Sequence, residues 1–256
     1  MADRSVVLTI VNQEWASPGS ILDLFLESFQ ISPGTKSFLN HLVIVAADGK
    51  AFRYCKSIHP HCYHLTASRM NFAISKAFMN PDHFRLAWRR IEFLQEVLEL
   101  GYNFIYTDAD VMWFRNPFPH FNPSDEMTIA CDFYMGNPQS KSNRADGGFF
   151  YMVSNARSTE FFKYWYMARV LHPNSHDRSV FEIIKHDQII KMMGLRIKYL
   201  DTAYFSGLCQ PNMEMNKVCT VHANCINNTE SKVRELRLVL DDWKDFKALP
   251  EETNIA

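Results

Sequence analysis

The sequence is poor in glycine, has no excess of basic residues and contains no long apolar run. Nine of its 256 residues are glycine, 21% are charged and the formal net charge is −1. A duplex-binding protein needs a basic face, so we exclude nucleic acid as the main partner. A membrane-spanning helix needs about 20 consecutive apolar residues. No stretch approaches that length, and we expect no membrane contact from this chain itself.

The start of the chain also lacks the features of a signal peptide. The segment MADRSVVLTIVNQ (1–13) enters a strand-like run almost at once, without the charged region and apolar core of a secretory leader. We therefore expect a cytoplasmic protein, or a catalytic segment separated from an N-terminal anchor. The even number of cysteines and a glycosylation sequon at Asn227 favour the second alternative, in which the protein lies in a lumen.

The cysteines suggest disulfides rather than a zinc site. The segment CKSIHPHCYH (55–64) contains zinc-ligand residue types, but their spacing fits no standard finger. A disulfide between its two cysteines, or a pair of free thiols, is favoured. Cys209 and Cys219 could pair in the same way, whereas Cys131 and Cys225 have no evident partner.

Strand and helix patterns alternate along the chain, with no repeat and no low-complexity linker. Strands are predicted at 5–12, 42–48, 102–107, 126–134, 147–155 and 195–201, and helices at 19–30, 82–101, 158–171, 177–193 and 231–246. This alternation predicts an α/β sandwich with a largely parallel sheet. Ligands of such sheets bind at the carboxyl ends of the strands, where Asp48, Asp108 and Asp110 lie. Because no glycine-rich phosphate loop is present, a bridging metal is the obvious substitute.

Asp108 and Asp110 come directly after the apolar run YNFIYT. Residues i and i+2 of a strand face the same side, so the two like charges repel unless a cation lies between them. Carboxylate oxygens are the preferred ligands of hard divalent cations, and the pair therefore predicts a metal site. The alternative, a turn with solvated acids, would more often carry Gly, Asn or Ser beside them.

An ordered set of segments resembles the nucleotide-diphospho-sugar transferases and looks like plant members of glycosyltransferase family 77. GYNFIYTDADVMWFRNPFPHF is similar to the family's Asp-x-Asp segment, VVLTIVNQEWA to its opening strand, NRADGGFFYMVSN to its donor-sugar strand and CTVHANC to its segment with a metal-binding histidine. The resemblance implies a GT-A-type, Rossmann-like α/β/α sandwich with a mostly parallel central sheet. It also implies a single catalytic domain over 1–256, with a nucleotide-binding half (1–115) and a donor-sugar and acceptor half (116–256).

The resemblance further implies a metal-dependent transferase that moves a sugar from a UDP-sugar to a glycan or glycoprotein acceptor with retention of configuration. Asp108, Asp110 and His222 would hold Mn²⁺ or Mg²⁺, and Asp108 would also reach the ribose. Plant relatives use pentoses or galactose, so xylose, arabinose and galactose are all open as donors. The lumen would be that of the Golgi if an N-terminal anchor is missing from this chain.

Several residues are candidate substrate contacts. Asn12 and Trp15 follow the first strand and are expected to contact uridine. Helical geometry aims Arg89 and Arg90 about 100° apart, so one should face the site, and we favour Arg90. The full set of predicted contacts outside the catalytic group is Thr9, Asn12, Trp15, Asp48, Arg89, Arg90, Asp108, Asp132, Gly147 and Gly148, with the glycines allowing the backbone to approach a sugar.

The catalytic group is ambiguous. Asp146 could accept hydrogen bonds from sugar hydroxyls, at a position where many relatives carry Asn. The family's Asp-Gln step near the anomeric carbon matches Asp177 by spacing, with Arg178 in place of Gln, and Asp187 and Gln188 by residue identity. We place Asp177 first. Arg178 keeps open a non-catalytic, sugar-nucleotide-binding relative. A metal-dependent phosphohydrolase is a further alternative, although it would ordinarily show more acid clusters.

Overall fold

The structure is a computed structural model, and it describes residues 4–65 and 82–249. Its strands are β1 Ser5–Val11, β2 Leu42–Ala46, β3 Cys62–His64, β4 Asn103–Thr107, β5 Val111–Trp113, β6 Met127–Phe133, β7 Arg144–Met152, β8 Ile197–Tyr199, β9 Phe205–Gly207 and β10 Thr220–His222. Its α-helices are α1 Ile21–Gln30, α2 Gly49–Ile58, α3 Asp82–Glu99, α4 Ala156–Ala168, α5 Asp177–Ile184, α6 Gln188–Met193 and α7 Thr229–Ala248. Short 3₁₀ helices cover Lys36–His41 and Phe118–His120.

The main sheet has seven strands in the order β3-β2-β1-β4-β7-β6-β8. All neighbours pair in parallel except β7, which is antiparallel to both β4 and β6. Val7 of β1 lies opposite Leu42 of β2, and Val6 lies opposite Phe104 of β4. The predicted mostly parallel sheet is therefore confirmed.

Helices cover both faces of this sheet. Adjacent residues of β7 point to opposite faces, and Phe149 enters one core while Phe150 enters the other. The first core contains α1 and α7, with Phe29 of α1 stacked on Trp113 at 4.8 Å between ring centroids. The second core contains α3, α4 and α5, including Trp165. Full burial of one Phe side chain contributes about 1.5–3 kcal/mol, so these aromatic layers hold the sheet edge in place.

A second, three-stranded sheet has the order β5-β10-β9. Neither this sheet nor α2 and β3 were expected from the sequence. Each of its strands has only three residues, which is too short for an alternating pattern to show. The six main-sheet strands that the sequence predicts are all present.

The prediction of one continuous helix over 177–193 is wrong, because α5 and α6 are separate helices. The backbone of Asp187 is extended, with φ −64° and ψ 145°, and this conformation interrupts the helix. Just before it, the buried Lys185 donates to the carbonyl of Asn143 and to Glu182. These bonds anchor the chain where α5 ends.

The disulfide between Cys55 and Cys62 is confirmed, and the zinc alternative for that segment is wrong because both thiols are oxidised. The pairing of Cys209 with Cys219 is also wrong. Cys209 bonds to Cys225, and Cys219 is a buried thiol. Because β9 and β10 run parallel, residues that follow the two strands leave the sheet at the same end, whereas Cys219 precedes β10 at the other end.

Within the described ranges, none of the helices combines the length and apolar character that crossing a bilayer requires.

Candidate active site

Three segments meet at the carboxyl end of β4. Asp108 follows β4 directly, and its backbone N–H donates to the carbonyl of Gly148 in β7 at 2.7 Å. Asp110 precedes β5, and β5 pairs with β10 so that Val111 lies opposite His222. The small sheet therefore places His222 beside Asp108 and Asp110, the two acids that follow β4 of the main sheet.

Asp108, Asp110 and His222 form a candidate metal site, as predicted. One carboxylate oxygen from each aspartate and a ring nitrogen of the histidine lie within 4.8 Å of one another. Ligand distances of about 2.0–2.6 Å place donors on opposite sides of a divalent ion about 4–5 Å apart, so the set fits. Oδ1 of Asp110 is buried 3.2 Å from Nε2 of His222 and accepts no well-aligned hydrogen bond from the described residues. A cation would satisfy this oxygen.

Asp146 orients the histidine ligand. Its Oδ2 atom lies 2.5 Å from Nδ1 of His222, and its Oδ1 accepts a hydrogen bond from the backbone N–H of Gly148 at 2.8 Å. A carboxylate on one ring nitrogen fixes the imidazole so that the other nitrogen faces Asp110, which is the usual support of a metal-bound histidine. Both oxygens of Asp146 are therefore engaged by the protein, a role that differs from the predicted contact with sugar hydroxyls.

The charges around this site act strongly on one another. Burial disfavours charge on His222, but Asp146 and Asp110 outweigh that effect and raise the pKa of the imidazole to about 10. Burial also disfavours charge on Asp110, yet His222 and Lys232 lower the pKa of this carboxyl below its usual range. Asp110 is therefore ionised at neutral pH and available as a ligand, whereas His222 carries a proton that it must release when it binds a metal.

Arg90 joins the metal site to α5. Its Nη1 atom donates to the hydroxyl of Tyr106 at 3.0 Å and lies 3.5 Å from Oδ1 of Asp108, and its Nη2 atom bonds to Oδ2 of Asp177. Tyr106 in turn donates to Asp108 at 2.5 Å. Burial disfavours charge on Asp177, but Arg90 and His176 outweigh it and lower the pKa of this carboxyl to about 2. The preference for Arg90 over Arg89 agrees with this geometry.

The two candidates for the Asp-Gln step lie in different places. Asp177 begins α5 and reaches the site through Arg90. Asp187 instead accepts a hydrogen bond from Tyr164 of α4 at 2.5 Å, and Gln188 begins α6 behind it. Asp177 is thus linked to Asp108 through Arg90, whereas Asp187 is bonded to Tyr164 of α4.

Two further predicted contacts, Arg89 and Asp48, have structural partners, whereas the buried hydroxyl of Thr9 has none among the described residues. Arg89 pairs with Glu92 and Glu96 along α3. Asp48 caps α2 through the N–H groups of residues 50 and 51, and it also accepts from the backbone of residue 13 at 2.7 Å. Thr9 is buried within β1.

A cavity of about 230 Å³ opens beside Asp108. Its walls come from the end of β1, the start of α3 and the Arg90 network, and its lining residues are Ile10, Asn12, Trp15, Leu86, Ala87, Arg90, Tyr106, Asp108 and His176. Asn12 accepts from the backbone N–H of Trp15 at 3.2 Å, which fixes the turn that leaves β1. A flat aromatic ring, an amide and an apolar wall suit a planar nitrogen base.

The match to a known family decides the identity of the chain. Residues 37–236 match the family described as nucleotide-diphospho-sugar transferase. The chain belongs to this family. Its uncharacterized relative At4g15970 of Arabidopsis thaliana is 40% identical over 253 residues, which cover 98% of this chain and 67% of the relative. The protein is thus a glycosyltransferase.

A relative with a named activity matches the transferase over a shorter range. The UDP-D-xylose:L-fucose alpha-1,3-D-xylosyltransferase MGP4 of Arabidopsis thaliana is 27% identical over 119 residues. The match covers 46% of this chain and 33% of that protein.

The fold of the transferase is also that of solved glycosyltransferases. The structure of the galactosyltransferase LgtC, in complex with donor and acceptor sugar analogues, superposes with a TM-score of 0.51 at 10% identity. The superposition covers 96% of this chain and 98% of LgtC. The predicted GT-A architecture is confirmed.

Lys232 of α7 is a site residue that was not predicted for the transferase. Its ammonium group donates to Oδ2 of Asp110 at 2.5 Å and to the carbonyl of Ala223 at 2.7 Å, and it lies 5.7 Å from the centre of the Trp15 ring. A single lysine on an amphipathic helix, ten positions after His222, gives no sequence signal of such a role.

Asp132, near the end of β6, is held by residues that neighbour predicted site residues in the sequence. Its Oδ1 atom accepts from the side-chain amide of Asn224 at 2.8 Å, and its Oδ2 atom pairs with Arg178. Asn224 follows the candidate metal ligand His222 by two residues and was not predicted either. The acid of β6 is thus held by one uncharged donor and two cations, Arg178 and, at 4.0 Å, Arg144.

Gly148 permits a close approach of two candidate metal ligands to the backbone, whereas the glycine pair was predicted to admit a sugar. An added Cβ at Gly148 would lie 2.4 Å from Cε1 of His222 and 2.9 Å from Oδ2 of Asp108. An added Cβ at Gly147 would make an ordinary contact, 3.5 Å from Cγ of Arg178. Only the second of the two glycines is therefore required by the metal site.

Proposed function

We propose that the transferase moves a sugar from a UDP-sugar to a hydroxyl of a glycan or glycoprotein, and that it depends on Mn²⁺ or Mg²⁺. The observation that carries the proposal is the convergence of Asp108, Asp110 and His222, with a ring nitrogen of His222 already fixed by Asp146. Two carboxylates and one oriented imidazole form an open ligand set, which leaves positions for diphosphate oxygens.

The reaction breaks the bond between the anomeric carbon and a phosphate oxygen. The diphosphate leaves with the electron pair, the acceptor oxygen bonds to the anomeric carbon, and the acceptor proton passes to the leaving phosphate. A divalent ion at the site would supply Lewis-acid stabilisation of the departing charge. The ammonium group of Lys232, which lies against Asp110, is placed to donate to the same phosphate.

The cavity beside Asp108 is proposed to hold the nucleoside. Trp15 offers a stacking face, Asn12 offers amide groups for the edge of the base, and Leu86 forms part of the apolar wall. Asp108 lines this cavity and is also one of the proposed metal ligands, so its carboxylate can accept from a ribose hydroxyl. In this arrangement the diphosphate would lie at the carboxyl end of β4.

We also propose that the transfer retains the anomeric configuration. The pairing of the site's carboxylates with other polar groups supports this proposal. Inversion requires a protein base near the acceptor hydroxyl. Among the residues that the structure describes at this edge, each carboxylate already has a polar partner: Asp108 has Tyr106, Asp110 has Lys232, Asp132 has Arg178, Asp146 has His222 and Asp177 has Arg90. A carboxylate with a pKa of about 2, as in Asp177, is also a weak base.

The sugar class is proposed from resemblance. The named xylosyltransferase relative favours xylose, and arabinose and galactose remain within the proposed class. We also propose a lumenal location such as the Golgi. It is supported by the disulfides at Cys55–Cys62 and Cys209–Cys225, since such bonds persist mainly in oxidising compartments.

A second candidate function is sugar-nucleotide binding without turnover, which Arg178 at the position of the family's glutamine favours. Release of UDP from UDP-xylose, UDP-arabinose and UDP-galactose, with and without Mn²⁺, tests both candidates. Release that requires Mn²⁺ supports the transferase. Tight UDP-sugar binding without release supports the binding protein. A protein that neither binds a UDP-sugar nor releases UDP would contradict both candidates.

A further inference from the structure

The turn before α7 carries the one glycosylation sequon of the sequence, Asn227-Asn228-Thr229. It lies between the disulfide-bonded Cys225 and the first turn of α7. Acceptor asparagines lie on surface loops of secreted proteins, because the attached oligosaccharide is bulky and stays in water. A single sequon is common by chance, so its use depends on how the chain presents the asparagine.

Asn227 is exposed, and its side-chain amide has no hydrogen-bond partner among the residues that the structure describes. The asparagines on either side of it are engaged. Asn224 donates to Asp132 at 2.8 Å, and Asn228 caps α7 by accepting from the backbone N–H of Ser231 at 2.7 Å. Asn227 is thus the asparagine of this turn that can carry an oligosaccharide without the loss of a contact.

The threonine of the sequon, in contrast, is engaged in the folded chain. Thr229 is the first residue of α7, and its hydroxyl donates to the carboxylate of Glu14 in the segment that follows β1. The acceptor sequence requires this hydroxyl residue as well as the asparagine. Because the helix and the bond to Glu14 both hold Thr229, we expect the sequon to be recognised before α7 packs against the rest of the fold.

The neighbouring disulfide constrains the sequon from the other side. Cys225 lies two residues before Asn227 and bonds to Cys209, which is 16 residues earlier in the sequence. Closure of this bond fixes the chain just before the acceptor asparagine, and formation of α7 fixes it just after. The folded turn is therefore short and held at both ends, whereas the unfolded chain can adopt the conformation that an oligosaccharide-transferring enzyme requires.

We propose that Asn227 carries an N-linked oligosaccharide, which is attached before α7 packs against the fold. The inference rests on the proposed lumenal location, where a lipid-linked oligosaccharide diphosphate is the donor. Nδ2 of Asn227 bonds to the anomeric carbon of the first sugar, and the bond between that carbon and the diphosphate oxygen breaks. The lipid diphosphate leaves with the electron pair, and the amide nitrogen releases one proton, so the modified side chain is uncharged.

The first test expresses the chain behind a cleavable secretory leader in plant cells and treats it with a glycosidase that removes N-linked oligosaccharides. Wild type and Thr229→Ser, which keeps the sequon, should each lose apparent mass in one step. Asn227→Gln and Thr229→Ala should migrate at the lower mass from the start and should not shift. Asn228→Gln is the matched control, because it removes the cap of α7 but keeps the sequon, so the shift should remain.

The second test examines the order of modification and folding. Unmodified protein made in bacteria is mixed with detergent-extracted microsomal membranes, which supply the lipid-linked donor and the transferring enzyme. The reduced and denatured chain should be modified at Asn227, whereas the folded chain with both disulfides closed should stay unmodified. Equal modification of the two forms would show that the folded turn is itself an acceptor, and would overturn the proposed order.

The remaining outcomes separate this inference from the proposed function. Wild-type protein that stays unmodified behind the leader, or as the denatured chain, would overturn the inference and leave the proposed sugar transfer in place. Modification behind the leader, but not in the protein isolated from its native cells, would overturn the proposed lumenal location and this inference with it. Both tests read the mass of the chain, so neither depends on release of UDP.

Discussion

Replacement of Gly148 by alanine should disable the metal site while leaving the fold intact. The added Cβ would lie 2.4 Å from Cε1 of His222, whereas carbon atoms in contact are about 3.5–4.0 Å apart, so the imidazole must retreat by about 1 Å. It cannot turn aside easily, because Asp146 lies 2.5 Å from one ring nitrogen and Asp110 lies 3.2 Å from the other. Metal–ligand distances tolerate only about 0.2 Å.

A displacement of that size should reduce Mn²⁺ affinity and kcat/KM by about 100-fold. Isothermal titration calorimetry with Mn²⁺ and UDP measures the first quantity, and UDP release measures the second. Gly147→Ala is the matched control for metal binding, because its Cβ would be 3.5 Å from Arg178, and its Mn²⁺ affinity should stay within about twofold of wild type. A Gly148→Ala protein that binds Mn²⁺ as tightly as the wild type would refute the reasoning.

Three further predictions concern the surroundings of the metal ligands. Asp146→Asn should lower Mn²⁺ affinity by about 10–100-fold, since it weakens the support of His222, and calorimetry showing no change would contradict that role. Lys232→Met removes a charged donor worth about 1.5–3 kcal/mol, so UDP affinity with Mn²⁺ should fall at least about tenfold, and unchanged affinity would exclude a phosphate contact. Cys225→Ser opens a loop of 16 residues and should lower the free energy of unfolding in urea by about 2–4 kcal/mol, whereas equal midpoints would show that the disulfide does not stabilise the fold.

Much of the sheet edge was predictable because the strands that form it are apolar and regular. The run before Asp108 has the composition of a buried strand, and its end fixes the position of both acids. Helical geometry indicated that only one of Arg89 and Arg90 faces the site, and the family resemblance favoured Arg90. Spacing favoured Asp177 over Asp187, and both choices agree with the contacts of the structure.

The rest of the site depends on pairing between segments far apart in sequence. The small sheet places His222 beside Asp110 through a register of three residue pairs, and short strands carry no periodic signal. Lys232 and Asn224 reach the site from a helix and a loop whose sequences look like ordinary surface. The sequence around Asp146 predicted a contact with sugar hydroxyls and gave no indication of the imidazole of His222 beside it.

Neither the even number of cysteines nor their nearness in the sequence identified the second disulfide. Cys209 and Cys219 are nearer in sequence, but the parallel pairing of β9 and β10 carries Cys225 to the partner position. Disulfide connectivity follows from where strands end, and that information appears only once their direction is known.

Electron paramagnetic resonance of Mn²⁺ tests the central claim most directly, because it reports bound and free ion separately and does not require turnover. With UDP present, the wild-type protein should bind one Mn²⁺ per chain, and Asp110→Ala and His222→Ala should each reduce the affinity by about 100-fold or more. Wild-type protein that leaves Mn²⁺ free in solution, or variants that bind it unchanged, would contradict the account.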